Sequence, residues 1–153
     1  MREVKTLSAD DARRGIAAVR AAAERRDAAV VVAITDAYGE LLALLRMDGA
    51  GPADIAPAIA KAYTAARLAQ PTRAIEAAAR NPKTGFDLAG FADPRLTSLI
   101  GGVPMDHAGD VVGAVGVSGA SPDTEETLAE AGVAAMQAPY APATAHPEDD
   151  SIP

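Results

Sequence analysis

The sequence predicts a protein of the broad α/β class, more narrowly α+β, with four helices and about five strands. Two observations lead to this prediction. Apolar residues recur with helical spacing in some segments and form short, continuous or β-branched runs in others. The segments TDAYGELLAL and MDHAGDVVGAV also share the pattern Asp-x-x-Gly-acid-apolar-apolar, which is typical of a tight turn between antiparallel strands. The resulting order is helix, two strands, two helices, three strands, helix.

Each predicted helix begins after a residue whose side chain can accept a hydrogen bond from the first turn. These N-cap candidates are Ser8, Asp54, Thr72 and Ser121. Ser8 carries the clearest signal because Asp11, three residues later, completes a capping box. Pro57 and Pro122 fall in first turns, where a missing N–H group costs nothing. We therefore expect helices over about 8–26, 54–69, 72–80 and 121–136.

Five short runs predict strands. AVVVAIT (29–35) is continuous and β-branched, as expected of a buried strand, and ELLALLR (40–46) follows a glycine turn. The other three are LTSLI (96–100), a short segment at 103–106, and VVGAVGVSG (111–119). Residues 81–95 are punctuated by proline and glycine and predict an irregular loop.

Composition limits the classes of function. A chain of 153 residues is most simply one domain, and with 3% aromatic residues its core must consist of small aliphatic side chains. The absence of cysteine excludes disulfides, thiolate metal sites and a cysteine nucleophile. A net charge of −7 argues against a nucleic-acid partner. Without a signal-like N-terminus or a run of about 18 apolar residues, we expect a cytoplasmic protein with no membrane partner.

The glycine-rich stretch 97–119 does not match a nucleotide-binding motif. A Rossmann fingerprint requires G-x-G-x-x-G between a strand and a helix, whereas Gly113 and Gly116 lie inside a predicted strand. A Walker loop and a G-x-S-x-G elbow are also absent from the sequence. Glycines within a strand favour a bulge or the close approach of a helix or neighbouring subunit. Gly101 and Gly102 lie at a strand junction, where their N–H groups could meet a ligand.

Five segments together resemble the GlcG/HbpS family of haem-binding proteins, also found as the C-terminal domain of PduO-type proteins. In order, they are ITDAYGELLALLRMDGA, AIAKAYTAARLAQPT, IGGVPM, GDVVGAVGVSG and EAGVAAM. The resemblance implies one domain over residues 1–138, with a profilin-like or PAS-like fold built on a central antiparallel sheet with flanking helices. It also implies homo-oligomers, commonly built from dimers. Composition separately predicts that residues 139–153 form a flexible, acidic, Pro-rich tail.

The first functional hypothesis is a small-ligand-binding domain whose ligand is haem or another planar or carboxylated molecule, and haem is implied by the resemblance alone. The expected binding residues are Arg46, Lys61, Thr64, Arg67, Gly101, Gly102, Val103, Pro104 and Met105. Haem iron needs an axial ligand, yet His107 is expected at a hairpin tip and His146 in the tail. The cofactor is therefore left open, and no cluster of histidines and carboxylates predicts a metal site.

The second hypothesis is a cofactor-independent acid–base enzyme that uses the same pocket, such as an isomerase, lyase or hydrolase of a small oxygenated metabolite. Its catalytic candidates are Lys61, Asp106 and His107. Three roles stay open for Lys61: ligand binding, proton transfer, or an ion pair or solvated position on the helix. A third hypothesis is an oligomeric interaction module.

Low aromatic content and alanine-rich helices predict a homo-oligomer, because each protomer then has a modest core. The last helix and the glycine-bearing strand are the expected contact. Gly113 and Gly116 would permit close backbone approach there.

Overall fold

The computed structural model describes Met1 and residues 3–138, in which the chain forms four α-helices and four strands. The helices are α1 (Ala9–Glu24), α2 (Ile55–Leu68), α3 (Thr72–Ala79) and α4 (Pro122–Gln137). The strands are β1 (Val31–Asp36), β2 (Leu41–Arg46), β3 (Gly102–His107) and β4 (Asp110–Ser118). None of the described helices is both long enough and apolar enough to cross a membrane. The predicted tail of residues 139–153 lies outside the described residues.

The four strands form one antiparallel sheet in the order β2-β1-β4-β3. Both turns predicted from the repeated Asp-x-x-Gly pattern are present, one between β1 and β2 and one between β3 and β4. Gly39 and Gly109 occupy these turns with φ of 85° and 86°, a region that favours glycine. The sheet therefore has β1 and β4 at its centre and β2 and β3 at its edges.

The predicted α+β class is confirmed, but the expected fifth strand at 96–100 is absent. This segment is an extended loop that runs beside α2 before β3 begins. The backbone N–H of Thr97 donates to the Thr64 hydroxyl at 2.9 Å, and that of Leu99 donates to the Thr97 hydroxyl at 3.2 Å. An apolar run alone does not distinguish a strand from an extended loop that side chains hold in place.

Two of the four predicted N-caps use the expected side chain. Ser8 and Ser121 each accept a hydrogen bond from the first turn, and the Ser8–Asp11 capping box is complete. The prediction that the side chains of Asp54 and Thr72 cap their helices was wrong, because these side chains form hydrogen bonds elsewhere. Asp54 accepts from the Ser118 hydroxyl at 3.1 Å, and Thr72 lies inside α3 with its hydroxyl directed to β3. Tertiary partners replaced the local cap at both positions.

One face of the sheet carries the larger aliphatic core, beneath α1 and α4. The β1–β4 register sets Val32 opposite Val117 and Ile34 opposite Val115. All four side chains are buried and pack with aliphatic residues of the two helices, including Val19, Ala22, Leu128 and Ala129. The expectation of a core built from small aliphatic side chains is confirmed.

The opposite face is covered mainly by α2 and consists largely of alanine and glycine. Ala58 and Ala62 of the helix pack on Ala33 of β1. At Gly116 of β4, a Cβ atom would stand 2.1 Å from the Ala58 carbonyl oxygen. This distance is far inside van der Waals contact, so α2 can lie this close only over a glycine. The predicted close approach of a helix to an in-strand glycine is confirmed.

The same arrangement corrects one part of the expected subunit contact, the glycine-bearing strand, while the part assigned to the last helix stays a prediction. β4 lies between β1 and β3 and is covered on both faces, so it is not available to a second protomer. Gly113 packs against the Leu7 side chain, and Gly116 packs against α2. The space that these glycines leave is filled within the chain.

Candidate functional site

A groove of about 540 Å³ opens where α2 leaves the adjacent part of β2 uncovered. Its walls come from the β1–β2 turn, one flank of α2 and the segment 94–99. The lining residues are Gly39, Glu40, Leu41, Ala56, Pro57, Ile59, Ala60, Tyr63, Pro94, Arg95, Leu96, Thr97 and Leu99. Most of these side chains are apolar, and the volume falls in the range of small-molecule sites.

The groove exists because α2 crosses the sheet over β4, β1 and β3 and barely touches β2. Leu41 at the start of β2 is consequently 47% exposed, and Leu99, which also lines the groove, is 53% exposed. Large aliphatic side chains that stay exposed along one open groove are unusual for a closed surface. They make the groove a candidate for a ligand with an apolar body.

Tyr63 is the centre of a polar cluster at one end of the groove. Only 2% of its surface is exposed, and its hydroxyl donates to Asp93 Oδ2 at 2.5 Å. Arg95 Nη2 donates to the same hydroxyl at 2.7 Å, and the Arg95 guanidinium lies 3.9 Å from the ring centroid. The Arg67 guanidinium lies 5.5 Å from that centroid. These contacts hold the phenol and both cations in one arrangement.

Two carboxylates complete this cluster, which we call the Tyr63 cluster (Glu40, Tyr63, Arg67, Asp93 and Arg95). Asp93 Oδ1 accepts the backbone N–H of Arg95 at 3.0 Å, so both carboxylate oxygens of Asp93 are bonded. Arg95 Nη1 donates to Glu40 Oε1 at 3.0 Å. The Glu40 contact is the outermost one, at the rim of the groove.

The cluster also sets the protonation of its members. Burial raises the pKa of Tyr63, and its hydrogen bond to Asp93 raises that pKa further. The hydrogen bond from Tyr63 lowers the pKa of Asp93, and the bond from the backbone N–H of Arg95 adds to this effect. Near neutral pH the cluster therefore presents a neutral phenol and an ionised carboxylate.

Lys61 does not line the groove. It is 3% exposed, and its Nζ donates to Glu125 Oε2 at 2.6 Å and to the Val117 carbonyl oxygen at 2.8 Å. Glu125 Oε1 accepts from the backbone N–H groups of Gly119 at 2.9 Å and Ala120 at 3.3 Å. Of the roles that the sequence left open, the structure places Lys61 in a buried ion pair that joins α2, β4 and α4.

The segment Gly101 to Met105 forms the entry to β3 and most of that strand rather than an open loop. The N–H of Gly102 donates to the Thr72 hydroxyl at 2.9 Å, so it is not presented to a ligand. A Cβ at Gly102 would lie 2.3 Å from the Lys61 carbonyl oxygen. Val103 and Pro104 pair with β4, and the Met105 side chain is buried in the core.

The remaining predicted binding residues fall in different places. Thr64 is buried, and its hydroxyl donates to the Ala60 carbonyl oxygen and accepts from Thr97, which lines the groove. Arg67 is exposed beside the Tyr63 ring. Arg46, at the far end of β2, lines a separate cavity of about 300 Å³. Thr64 and Arg67 therefore adjoin the groove, whereas Arg46 does not.

Asp106 and His107 are exposed at the end of β3 that is remote from Lys61. Gly102 lies against the Lys61 backbone, and a rise of about 3.3 Å per residue along β3 puts His107 roughly 16 Å from Gly102. His107 instead borders a cavity of about 440 Å³ together with Met105 and Met136. The three catalytic candidates therefore do not share a site. Among the described residues, no group of three or more histidine or carboxylate side chains could hold a metal ion.

The sequence patterns did not single out Glu40, Tyr63, Asp93 or Arg95 as site residues. A signal was nevertheless present. Asp93 and Arg95 flank Pro94 in the irregular loop, and binding residues are common on loops that a rigid scaffold positions. Tyr63 is also one of only three tyrosines in a chain poor in aromatic residues.

Comparison with known proteins identifies the family. Residues 7–134 match the family model described as haem degrading protein HbpS-like. The chain belongs to the HbpS-like family. This finding confirms the GlcG/HbpS resemblance that the five sequence segments predicted.

Individual relatives agree with this assignment. Protein GlcG of Escherichia coli K12 is 42% identical over 103 residues, which cover 67% of this chain and 74% of GlcG. The crystal structure of protein ORFY of Klebsiella pneumoniae superposes with a TM-score of 0.86 at 29% identity, covering 92% of this chain and 97% of ORFY. The crystal structure of the PduOC:heme complex superposes with a TM-score of 0.78 at 25% identity, covering 85% of this chain and 94% of PduOC.

Proposed function

We propose that residues 1–138 form one profilin-like or PAS-like domain whose groove binds a small, flat, largely apolar molecule, with haem as the first ligand to test. The observation that carries the proposal is the groove itself. Its aliphatic walls, including Leu41 and Leu99, converge on the ordered Tyr63 cluster. Membership of the HbpS-like family and the likeness to PduOC, crystallised with heme, support a haem-related ligand.

The groove suits the organic part of haem but not its iron. The described residues that line it include no histidine, cysteine or methionine. The Tyr63 oxygen is already bonded to Asp93 and Arg95, and burial keeps the phenol protonated by raising its pKa. We therefore propose that the apolar walls and the cation Arg95 bind the porphyrin, and that no side chain of the groove bonds to the iron.

Titration with haemin and with metal-free protoporphyrin IX tests this proposal. We expect both to give saturable changes in the Soret band with similar dissociation constants, because the groove offers iron no free ligand. A haemin response no greater than that of an unrelated control protein would remove porphyrins from consideration. A much tighter complex with haemin than with protoporphyrin would contradict the absence of iron ligation.

A pair of tryptophan variants locates the site. Ala56 is exposed and lines the groove, so Ala56→Trp should fill it and weaken the binding of both porphyrins. Ala77 is exposed on α3 and does not line the groove, so Ala77→Trp is the matched control. Equal affinities of the two variants would place the porphyrin elsewhere, such as the cavity beside His107.

We propose that the homo-oligomer, if built through a strand, uses the edge of β2 rather than β4. Leu42 is exposed on this edge, and natural proteins cover or protect an unpaired apolar edge. Light scattering at micromolar concentration tests the proposal. We expect a mass above the 15.5 kDa protomer that Leu42→Lys reduces. A mass that stays near that of the protomer at every concentration would contradict it.

A further inference from the structure

We infer that the groove, if it binds a small molecule as proposed above, selects ligands that carry a carboxylate. The carboxylate would bind Arg95 Nη1 in the position that the Glu40 side chain now takes. Glu40 would then act as an internal competitor for the binding position, and Asp93 would hold Arg95 in place. Three features of the Tyr63 cluster lead to this inference.

Arg95 is fixed before any ligand arrives. Its guanidinium lies over the Tyr63 ring at 3.9 Å, and its Nη2 donates to the Tyr63 hydroxyl. Asp93 anchors the backbone of Arg95 and lies 3.7 Å from its Nε. Because the side chain is already held on one side, binding a carboxylate at Nη1 costs little further ordering. A planar guanidinium is also well suited to carboxylate recognition.

The Glu40 carboxylate can be replaced. The Glu40 side chain is 62% exposed and that of Arg95 is 53% exposed, and ion pairs between such exposed groups are weak. In the described part of the chain, the Glu40 carboxylate bonds to Arg95 alone. Asp93 differs, because its two oxygens hold the Tyr63 hydroxyl and the Arg95 backbone N–H. A competing carboxylate would therefore displace Glu40 and leave Asp93 in place.

The positive charge of Arg95 favours an anion over other ligands at the position of Glu40. The cluster contains two cations, Arg67 and Arg95, and two anions, Asp93 and Glu40. A ligand carboxylate that displaces Glu40 keeps Arg95 paired. The apolar body of the ligand would also cover the new pair and exclude water from it, which strengthens the interaction. An uncharged ligand gains no such contact, and a cationic ligand would face Arg95.

Two fluorescent molecules of matched shape separate charge from apolar burial. 1-Pyrenebutyrate carries a carboxylate, and 1-pyrenebutanol replaces it with a hydroxyl group. For the unaltered protein, we expect pyrenebutyrate to bind about tenfold more tightly than the alcohol, the effect of one charge-assisted hydrogen bond. Arg95→Gln should abolish this preference. Glu40→Gln should tighten the binding of pyrenebutyrate a few-fold and leave that of the alcohol unchanged.

Arg80→Gln is the matched control, because Arg80 is an exposed arginine at the end of α3, pairs with Glu76 of that helix and does not line the groove. It should leave both dissociation constants unchanged. If both molecules bind with equal affinity and Ala56→Trp weakens both, the carboxylate inference is wrong while the groove remains a ligand site. If neither molecule binds, the proposed function fails and the inference fails with it.

Discussion

Two side chains of α2, Lys61 and Tyr63, lie two residues apart and organise two polar clusters of opposite character. Lys61 is sealed between α2, β4 and α4, and both its partners are themselves buried. Tyr63 is equally buried, but its cluster continues through Arg95 to Glu40 at the surface. Every partner of Lys61 is buried, so its charge serves the fold, whereas Arg95 keeps one exposed partner, Glu40, and so stays accessible from solvent.

Helix geometry separates the two clusters. Residues i and i+2 project about 200° apart around a helix of 3.6 residues per turn. Lys61 therefore points toward β4 and α4, whereas Tyr63 points toward the loop that contains Asp93 and Arg95. Their nearness in the sequence says little about their environments.

The largest expected effect on stability comes from breaking the buried ion pair between Lys61 and Glu125. Lys61→Met should lower the free energy of unfolding by about 3–5 kcal/mol, because it leaves the Glu125 carboxylate buried without its cation. Urea denaturation measures the change. The double variant Lys61→Met/Glu125→Gln should recover much of the loss, since glutamine keeps an oxygen for the Gly119 and Ala120 N–H groups. A loss below about 1 kcal/mol for the single variant would contradict this prediction, because it would mean that the Lys61–Glu125 pair contributes no more than an exposed ion pair.

The second-largest effect on stability is expected where α2 packs on Gly116 of β4. Gly116→Ala puts a Cβ against the backbone of α2 and should cost about 1–3 kcal/mol by overpacking. Gly90→Ala is the matched control, because a Cβ at that glycine meets no atom within 4 Å. Comparing their thermal midpoints checks the prediction. Equal midpoints would mean that α2 can move away from the sheet without loss.

Tyr63→Phe should have a smaller effect, about 1 kcal/mol, because it removes the donor to Asp93 while the ring remains. The same variant should also change how the free energy of unfolding depends on pH in the alkaline range. The unfolded tyrosine loses its proton near its ordinary pKa of 10.0, whereas the folded one, whose pKa is raised, keeps it. The contribution of the protonated Tyr63 hydroxyl to the free energy of unfolding is therefore complete below about pH 10. It is lost as the pH rises through the pKa of Tyr63 in the folded protein.

Urea midpoints recorded from about pH 8 to pH 11 for both proteins isolate this contribution. The difference in stability between the unaltered protein and Tyr63→Phe should shrink toward the alkaline end. A constant difference across the range would show that the Tyr63 hydroxyl has no raised pKa in the folded protein.

The smallest effect on stability is expected for Glu40→Gln. Both members of the Glu40–Arg95 pair are more than half exposed, so solvent screens their interaction. Urea denaturation should give a midpoint that replicate error cannot separate from that of the unaltered protein. A clear loss of stability would mean that Glu40 is a structural partner of Arg95 rather than a replaceable one.

Predictions from the sequence succeeded where the cause is local. The Ser8–Asp11 capping box and the turns at Gly39 and Gly109 act over about four residues, so the sequence displays them directly. The predicted strand at 96–100 failed because the N–H groups of Thr97 and Leu99 donate to the hydroxyls of Thr64 and Thr97 rather than to a neighbouring strand. The caps expected at Asp54 and Thr72 failed because more distant partners took those side chains.

Local sequence patterns were enough to predict the α+β class, the order of the helices, both hairpins, the small-residue core and the family. These features depend on propensity, turn chemistry and segment order. The folded chain is needed to show that Lys61 pairs with Glu125, that β4 is central, and that Tyr63 and Arg95 line a groove. The reason is the distance along the chain. Glu40, Tyr63 and Arg95 belong to three separate elements, and no local pattern encodes which of their side chains the packing of α2 brings together.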